Sequence, residues 1–539
     1  MALAETVLQQ LDPDLRSYIE QLEERSRDYT VLEQEYHVLQ ERYRLLLYKR
    51  FRRSSEQEES TYQKQLFSEA EDTATIVVDD PSSDAEAATE SEQTTVGGHT
   101  RSKPGRKAID AKHPRIEIVH DIPEENKICG CDAPLVRIGE DVKEIIQIIP
   151  EQIWVERHIF PKYACHVCEG SGDEDHPAVR VAPREPTILP RSIASPSLLA
   201  FVLMNKFVDH LPFYRQEKRF ERIGIAISRQ DMSNWTIAAA RKIQPLINEY
   251  KDQMRGGPLI NMDETPLQVM NEPERENTQK SYMWLARGGP PDTPVVLYTY
   301  HPSRGIDCPQ SVLEGYSGYV QTDGYAVYER LAKEGSFIHV GCWTHTRRKF
   351  HEAAQASKKA GAAQEGLAQI NRIYRIERDL RNKDLSPEAF VLERKMQVAP
   401  VLSSFRKWLE KKSERVVPSS LVGTAVAYTL KEWDTLVRYL DHAGLTPDNN
   451  AAENSIRPFV LGRKNWLISG SPRGATASCT MYSLIETAKL NGLDPFAYLH
   501  YVFTKAPEMK TSENWQSLLP ENLTSEILTK ALPSPLRNG

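Results

Sequence analysis

The stretch Leu259-Ile260-Asn261-Met262-Asp263-Glu264-Thr265 reads as a short central strand that delivers a carboxylate, Asp263, at its tip. A second run of the same kind, Gly318-Tyr319-Val320-Gln321-Thr322-Asp323-Gly324, ends on Asp323, and its last glycine allows a sharp turn into a helix. A third acid, Glu453, lies in Asn449-Asn450-Ala451-Ala452-Glu453-Asn454, a stretch that predicts a helix opening behind an asparagine cap. Two strand-end aspartates and one helical glutamate can converge on a pair of hard cations, which take oxygen ligands. A lone aspartate after a strand is commonly just a turn or cap residue. The signal is therefore the trio in this order, not any one member.

Short strands surround these acids. Leu259–Met262, Leu267–Met270, Tyr282–Arg287 and Val295–Tyr300 are expected as successive strands, several of them adjacent hairpins. A helix near Gln310–Leu313 then precedes a strand at Tyr319–Thr322, and a helix at Ala326–Ala332 precedes a strand at Phe337–Cys342. This β-β-β-α-β-α-β order fits an RNase H-like α/β core with mixed pairing, its first part spanning residues 257–349. Residues 350–445 are charged and helical in pattern, with Ile373, Ile376 and Leu380 at helical spacing. They predict a helical insertion that separates Asp323 from Glu453. The second part of the core is expected at 446–475 and a C-terminal helical segment at 476–539, where Met481–Leu493 reads as a helix with a glycine stop.

Upstream, Asp12-Pro13 marks a helix start, and Leu15, Leu22, Tyr29, Tyr36 and Tyr43 recur every seven residues. Tyr18, Leu32, Leu39 and Leu46 fill the second seam, broken by Arg25, so residues 13–53 predict a coiled coil for self-association. An amphipathic helix packed on its own chain is the alternative reading. Residues 54–99 form an acidic, polar linker expected to be disordered. Within it, Ser54 to Gly98 carry 12 acids against one lysine, a local charge of −11, so the net −7 of the chain conceals a remainder of +4. A mildly basic body beside an acidic segment is compatible with nucleic-acid binding. The 539 residues require several domains, no run reaches the about 18 apolar residues of a membrane span, and the N-terminus lacks a secretory pattern. Seven cysteines, an odd number in a large chain, point to a reducing cytosol, so a cytoplasmic location without membrane partners is expected.

Cys129-Gly130-Cys131 and Cys165-His166-Val167-Cys168 are two close pairs with 33 residues between them. Four thiolates can close a tetrahedral structural Zn²⁺ site, with His166 as a substitute ligand. Ile145–Ile149 and Ile153–Val155 look like strands of a zinc-ribbon-like module within residues 100–184. Cys308, Cys342 and Cys479 have no partner pattern and are expected as ordinary buried thiols. Residues 190–254 read as helical. There, a helix through Tyr214–Arg222, a glycine turn at Ile223-Gly224 and a second helix near Ser228–Trp235 suit a helix-turn-helix offering Arg229, Gln230 and Asn234 to DNA bases. A plain helical hairpin fits the same pattern.

The chain resembles the transposases of the insertion sequence 66 family, whose catalytic core is of the DDE, RNase H-like type. The resemblance is carried by Met262–Val269, Thr322–Tyr325, Cys342-Trp343-Thr344-His345, and a block from Asn449 through Glu453, Arg457 and Pro458 to Gly462–Trp466. It extends from about Lys103 to Leu499. It implies that Asp263, Asp323 and Glu453 are the catalytic triad, holding two Mg²⁺ or Mn²⁺ ions about 3.5–4 Å apart. Neighbouring residues on a strand face opposite sides, so only one of Asp263 and Glu264 is expected to reach the metals, and the family motif favours Asp263. It also implies that residues around Cys129–Cys168 form the family's zinc-finger region.

The expected activity is cleavage of transposon-end phosphodiesters followed by joining of the 3′-OH to target DNA. His345 is a candidate to orient a phosphate or water. Arg347, Arg348, Arg457, Arg463 and Lys464 are candidates for backbone contacts, with Trp466 as a stacking or wedge residue, although a place in the core is the commoner fate of a tryptophan. The expected partners are transposon-end and target DNA, a second copy of the chain, and accessory proteins of the same element, in a bacterial, nucleoid-associated setting. A catalytically silent DNA-binding regulator and a Mg²⁺-dependent nuclease without strand transfer are the rival readings.

Overall fold

The computed structural model describes residues 12–51, 153–158, 185–357 and 361–533, together with the strand segments 94–96, 99–101, 162–164 and 179–181. Cys129, Cys131, Cys165 and Cys168, and nearly all of the acidic linker, lie outside the described residues. The chain divides into two compact units, residues 55–182 and the remainder. In the smaller unit, Thr94–Val96 pairs with His99–Arg101 and Lys162–Ala164 with Val179–Val181, both antiparallel. Ile153–Val155, expected as a strand, is exposed chain with no ladder. Apolar side chains alone do not make a strand where no neighbour supplies backbone partners.

The larger unit is mostly helical around one five-stranded mixed sheet. Four helices lead into it, α2 (Pro196–Phe207), α3 (Phe213–Arg222), α4 (Arg229–Lys242) and α5 (Gln244–Arg255), after the N-terminal α1 (Pro13–Phe51). The strands are β1 (Leu259–Gln268), β2 (Lys280–Gly288), β3 (Val295–His301), β4 (Tyr319–Gln321) and β5 (Ile338–Val340), in the spatial order β3-β2-β1-β4-β5. The first three strands are antiparallel neighbours, while β1–β4 and β4–β5 are parallel. The parallel links are crossovers, through α6 (Asp307–Leu313) and then α7 (Ala326–Glu334), as parallel pairing requires.

The sequence predicted two strands where β1 is one. It continues through Asp263 and Pro266 to Gln268, paired with β2 along that length. A proline is tolerated there because β4 pairs only with Leu259–Asn261, so the edge of β1 that faces β4 is no longer occupied by a strand beyond that point. The same early end of β4 leaves Asp263 without a ladder partner on that side.

The outer edge of β3 is closed by α14 (Pro472–Leu490), whose residues from Met481 to Ala488 are all buried. Ser483 and Thr487 lie one turn apart on this helix. Their hydroxyls accept hydrogen bonds from the Tyr298 and Val296 amides at 2.9 and 3.0 Å, satisfying an edge that would otherwise template aggregation. Gly492, at φ +70, ends the helix region as the sequence suggested.

From β5 the chain runs into α8 (Trp343–Ala356) and then a helical layer, α9 (Ala362–Arg381), α10 (Pro387–Ser413), α11 (Leu421–Lys431) and α12 (Trp433–Val437). These bury a second core around Trp343, Phe350, Phe405 and Trp433. Ile373 and Leu380 are buried in this layer and Ile376 is partly so. The chain returns to the sheet as α13 (Asn450–Trp466). The C-terminal end of α1 docks on the same unit, with Leu45 buried and Lys49 2.6 Å from Glu352 of α8. Among the described residues no helix is long and apolar enough to cross a membrane.

Candidate active site

The register of the parallel strands sets the site. Asn261 pairs with Gln321 as the last rung of β1–β4, so Asp263 and Asp323 each stand two residues beyond it. Two residues along extended chain return to the same face. The first turn of α13 brings Glu453 to the same place. Asp263 feels the charges of Glu264, Glu453 and Asp323 together, and burial plus these neighbours push its carboxyl up to about 7. Asp323 Oδ1 accepts the Tyr325 amide at 3.0 Å, which fixes the turn into α7. Gly324 in that turn is not among the glycines with a left-handed backbone. It is needed for space, since a Cβ there would lie 2.8 Å from the Tyr428 hydroxyl.

Asn449 also departs from expectation. Its side chain makes no helix cap. Asp448 Oδ1 takes the Asn450 amide instead, at 3.2 Å. The Asn449 amide group reaches the sheet, donating to Met262 O at 2.8 Å and accepting from Asn261 Nδ2 at 2.9 Å.

His345 sits in the first turn of α8, with Nε2 3.7 Å from Glu453 Oε1. Burial holds its imidazole below the ordinary value, against the pull of Asp323 and Glu453. Cys342, His345 and Glu453 offer ligand atoms that all lie within 4.8 Å of one another. Glu453 Oε1 is buried and has no hydrogen-bond partner. A buried, unpartnered carboxylate oxygen among mutually repelling acids is a donor set that fits a divalent cation.

Glu264 is engaged elsewhere. Arg304 binds it in an ion pair, with Nε 2.7 Å from Oε1. Arg304 was not legible in the sequence as a site residue, because it reaches the site from the loop after β3. Its guanidinium stacks on Tyr325 at 4.2 Å. Together with Asp323, His345, Arg348, Lys349 and Tyr428 it lines a cleft of about 420 Å³. Lys349 lies 4.7 Å above the Tyr428 ring.

The other expected DNA contacts are spread around this cleft. Arg348 is exposed at its wall, whereas Arg347 turns to Asn371 of α9 at 3.2 Å. Arg463 donates to Thr265 Oγ1 at 3.2 Å, two residues along β1 from Asp263, while Arg457 and Lys464 are exposed on α13. Trp466 is half-buried against Phe459, with ring centroids 5.4 Å apart, and belongs to the core packing. Cys308, Cys342 and Cys479 are buried thiols.

In the helices before the sheet, Ser228 and Asp231 form a reciprocal capping box that starts α4. Gly224, at φ +79, makes the turn from α3. Met232, Trp235 and Ala239 face the core, leaving Arg229, Gln230 and Asn234 exposed. Arg229 is tethered to Glu217 of α3, whose Oε1 accepts its backbone amide at 3.0 Å.

Four segments of the chain match described families. Residues 191–477 match the Transposase IS66 family, and residues 483–520 the IS66 C-terminal element. Residues 126–169 match the zinc-finger binding domain of transposase IS66, and residues 38–118 a family described as Transposase C of IS166 homeodomain. Among curated proteins, the uncharacterized protein y4qI of Sinorhizobium fredii is 32% identical over 435 residues, covering 78% of each chain. The uncharacterized protein y4jD of the same organism is 30% identical over 435 residues, 78% of this chain and 82% of its own.

Proposed function

The chain belongs to the IS66 family of transposases, and on that premise we propose that it cleaves transposon-end DNA and joins the freed 3′-OH to target DNA at Asp263, Asp323 and Glu453. The observation that carries the reading is the meeting of these three carboxylates, Asp263 within β1 just past its last rung with β4, Asp323 just beyond β4 and Glu453 in the first turn of α13. The sheet order β3-β2-β1-β4-β5, with an antiparallel first half and a parallel second half, supports an RNase H-like core. The helical layer between β5 and α13 is then an insertion within that core.

Asp263, Asp323 and Glu453 would hold the metals. When bound, Mg²⁺ or Mn²⁺ ions would activate an attacking water or 3′-hydroxyl and offset charge on the phosphate. His345, neutral at pH 7, orients a phosphate oxygen or the attacking water. Arg304, Arg348 and Lys349 draw the DNA backbone to the cleft, and Arg457, Arg463 and Lys464 extend that positive surface along α13. Arg229, Gln230 and Asn234 read the transposon end from α4. The zinc-finger segment, with Cys129, Cys131, Cys165 and Cys168 as ligands, and self-association through α1 complete the assembly.

A strand-transfer assay on the DNA ends that flank the gene, with Mg²⁺ and with Asp323→Asn alongside, tests the reading. Joined product from the wild type and none from the variant is expected. Ends that are bound but neither cut nor joined would favour a DNA-binding regulator, and cutting without joining a nuclease. Equal activity of the two proteins would dismiss the triad.

A further inference from the structure

Three buried side-chain amides connect the segments that carry the three acids. Asn261 of β1 donates from Nδ2 to Gln321 Oε1 of β4 at 3.1 Å and to Asn449 Oδ1 before α13 at 2.9 Å. Asn449 returns a hydrogen bond from Nδ2 to Met262 O at 2.8 Å, and Gln321 Nε2 donates to Thr446 O at 2.7 Å. Exposure is 5% for Asn261, 0% for Gln321 and 3% for Asn449.

Burying an amide costs stability unless every polar atom is satisfied, and the neighbouring core positions Ile260 and Val320 are simply apolar. Three amides here therefore need a reason that packing does not supply. Their spacing gives one. Asn261 and Gln321 each precede an aspartate by two residues, one strand repeat, and Asn449 precedes Glu453 by four, one helical turn. Each amide thus sits on the same face as its acid, one step deeper in the fold.

We infer that Asn261, Gln321 and Asn449 are positioning residues, a buried amide relay that holds Asp263, Asp323 and Glu453 at the separation a shared divalent cation requires. This rests on the metal-binding reading of the three acids given above. Carboxylates brought together repel one another, and segments as far apart in sequence as β1 and α13 have no covalent reason to stay in register. The relay resists that spreading with directional bonds, and Mg²⁺ in particular demands near-ideal octahedral geometry. Partners that orient metal ligands typically change affinity by about 10–100-fold when removed.

Mn²⁺ binding to the full-length protein, followed by loss of the free-ion electron paramagnetic resonance signal, tests the inference without relying on activity. Gln321→Met and Asn449→Leu keep side-chain size and remove the bonds; each is expected to weaken Mn²⁺ by about tenfold or more. The exchange Asn261→Gln with Gln321→Asn keeps an amide pair of the same total length and is expected to recover affinity. Asp263→Asn and Asp323→Asn serve as site controls. Wild-type affinity in Gln321→Met and Asn449→Leu, with loss in the two aspartate variants, would overturn the relay and leave the site intact. Unchanged affinity in the aspartate variants would remove the site itself. If Asn449→Leu or Gln321→Met fails to melt cooperatively, Asn261→Ser, which deletes the shared donor, carries the same comparison: a tenfold loss sustains the relay and wild-type affinity ends it.

Discussion

His345 Nε2 and Glu453 Oε1 lie 3.7 Å apart, so the first turn of α8 meets the first turn of α13. Because burial keeps the imidazole neutral, this contact does not cancel the charge of Glu453. The carboxylate stays free for a cation, and the imidazole stays free to donate or accept a proton or hydrogen bond. His345→Ala should therefore slow end cleavage by about 10²-fold or more, the scale of a positioned acid or base. Mn²⁺ affinity should stay within about twofold, since the oxygen ligands remain. Single-turnover cleavage and metal titration separate the two. A parallel fall in metal affinity would instead make His345 a ligand.

Asp263 gives a pH signature. Its carboxyl rises from 3.8 to about 7 in the folded, metal-free protein. A cation must displace that proton, so metal affinity should fall about tenfold per pH unit below 7 and level off above it. Stability runs the other way. The unfolded chain loses the proton first, so the contribution is fully present below about 4 and is lost as pH rises toward about 7. Calorimetry without metal should show a melting temperature that declines over that window, and Mn²⁺ should restore it at pH 8. A melting temperature that climbs with pH in the absence of metal would contradict the placement of Asp263 among like charges.

The acids were legible in the sequence because each ends or opens a patterned segment: an apolar run for Asp263 and Asp323, an alanine-containing helix start for Glu453. Their support was not. Asn261 and Gln321 stand inside apolar strand runs, where a buried amide looks like an ordinary polar interruption until its partner's position is known. Asn449 carried a strong local signal for a helix cap, and the tertiary contact with β1 outcompeted it. Arg304 has no local pattern, and only the fold brings it to Glu264. The strand break expected between Met262 and Leu267 failed for a related reason. Proline and acidic residues argue against a central strand, but β1 is central only as far as Asn261.

Arg394 ties α10 to the segment that leads into α13. It is fully buried, binds Glu377 at 2.8 Å, and donates to the carbonyls of Tyr439, His442 and Leu445 at 2.6, 3.0 and 2.9 Å. That last segment leads directly to Thr446 and Asn449. Removing Arg394 leaves buried Glu377 with only the half-exposed Arg381, 3.0 Å away, as its cation, and breaking a buried pair costs up to about 3–5 kcal/mol. Arg394→Met should therefore lower the denaturation midpoint by that scale. Glu377→Gln with Arg394→Met together should cost less than Arg394→Met alone, since the buried carboxylate no longer depends on Arg381 as its one remaining cation. Chemical denaturation of Arg394→Met, Glu377→Gln and the double variant decides it, and a double variant as unstable as the sum of the singles would refute the argument.

The seam of α1 makes the final case. Its C-terminal end packs on the helical layer through Leu45, Lys49 and Glu41, the last accepting the Leu421 amide at 3.3 Å. The heptad positions face away from that contact, with Tyr29, Leu32, Tyr36 and Leu39 between 58% and 69% exposed. Large apolar side chains repeated every seven residues cost about 1.5–3 kcal/mol each when left in water rather than buried. A second copy would cover them in register. If α1 self-associates as proposed, the wild type should sediment as an oligomer, and Leu32→Lys with Leu39→Lys should convert it to monomer while leaving binding of a single transposon end intact. Pairing of two ends should be lost, because two active sites must then meet without their link. Unchanged mass in the double variant would assign the seam to a different partner and return α1 to the reading of a helix that serves its own chain.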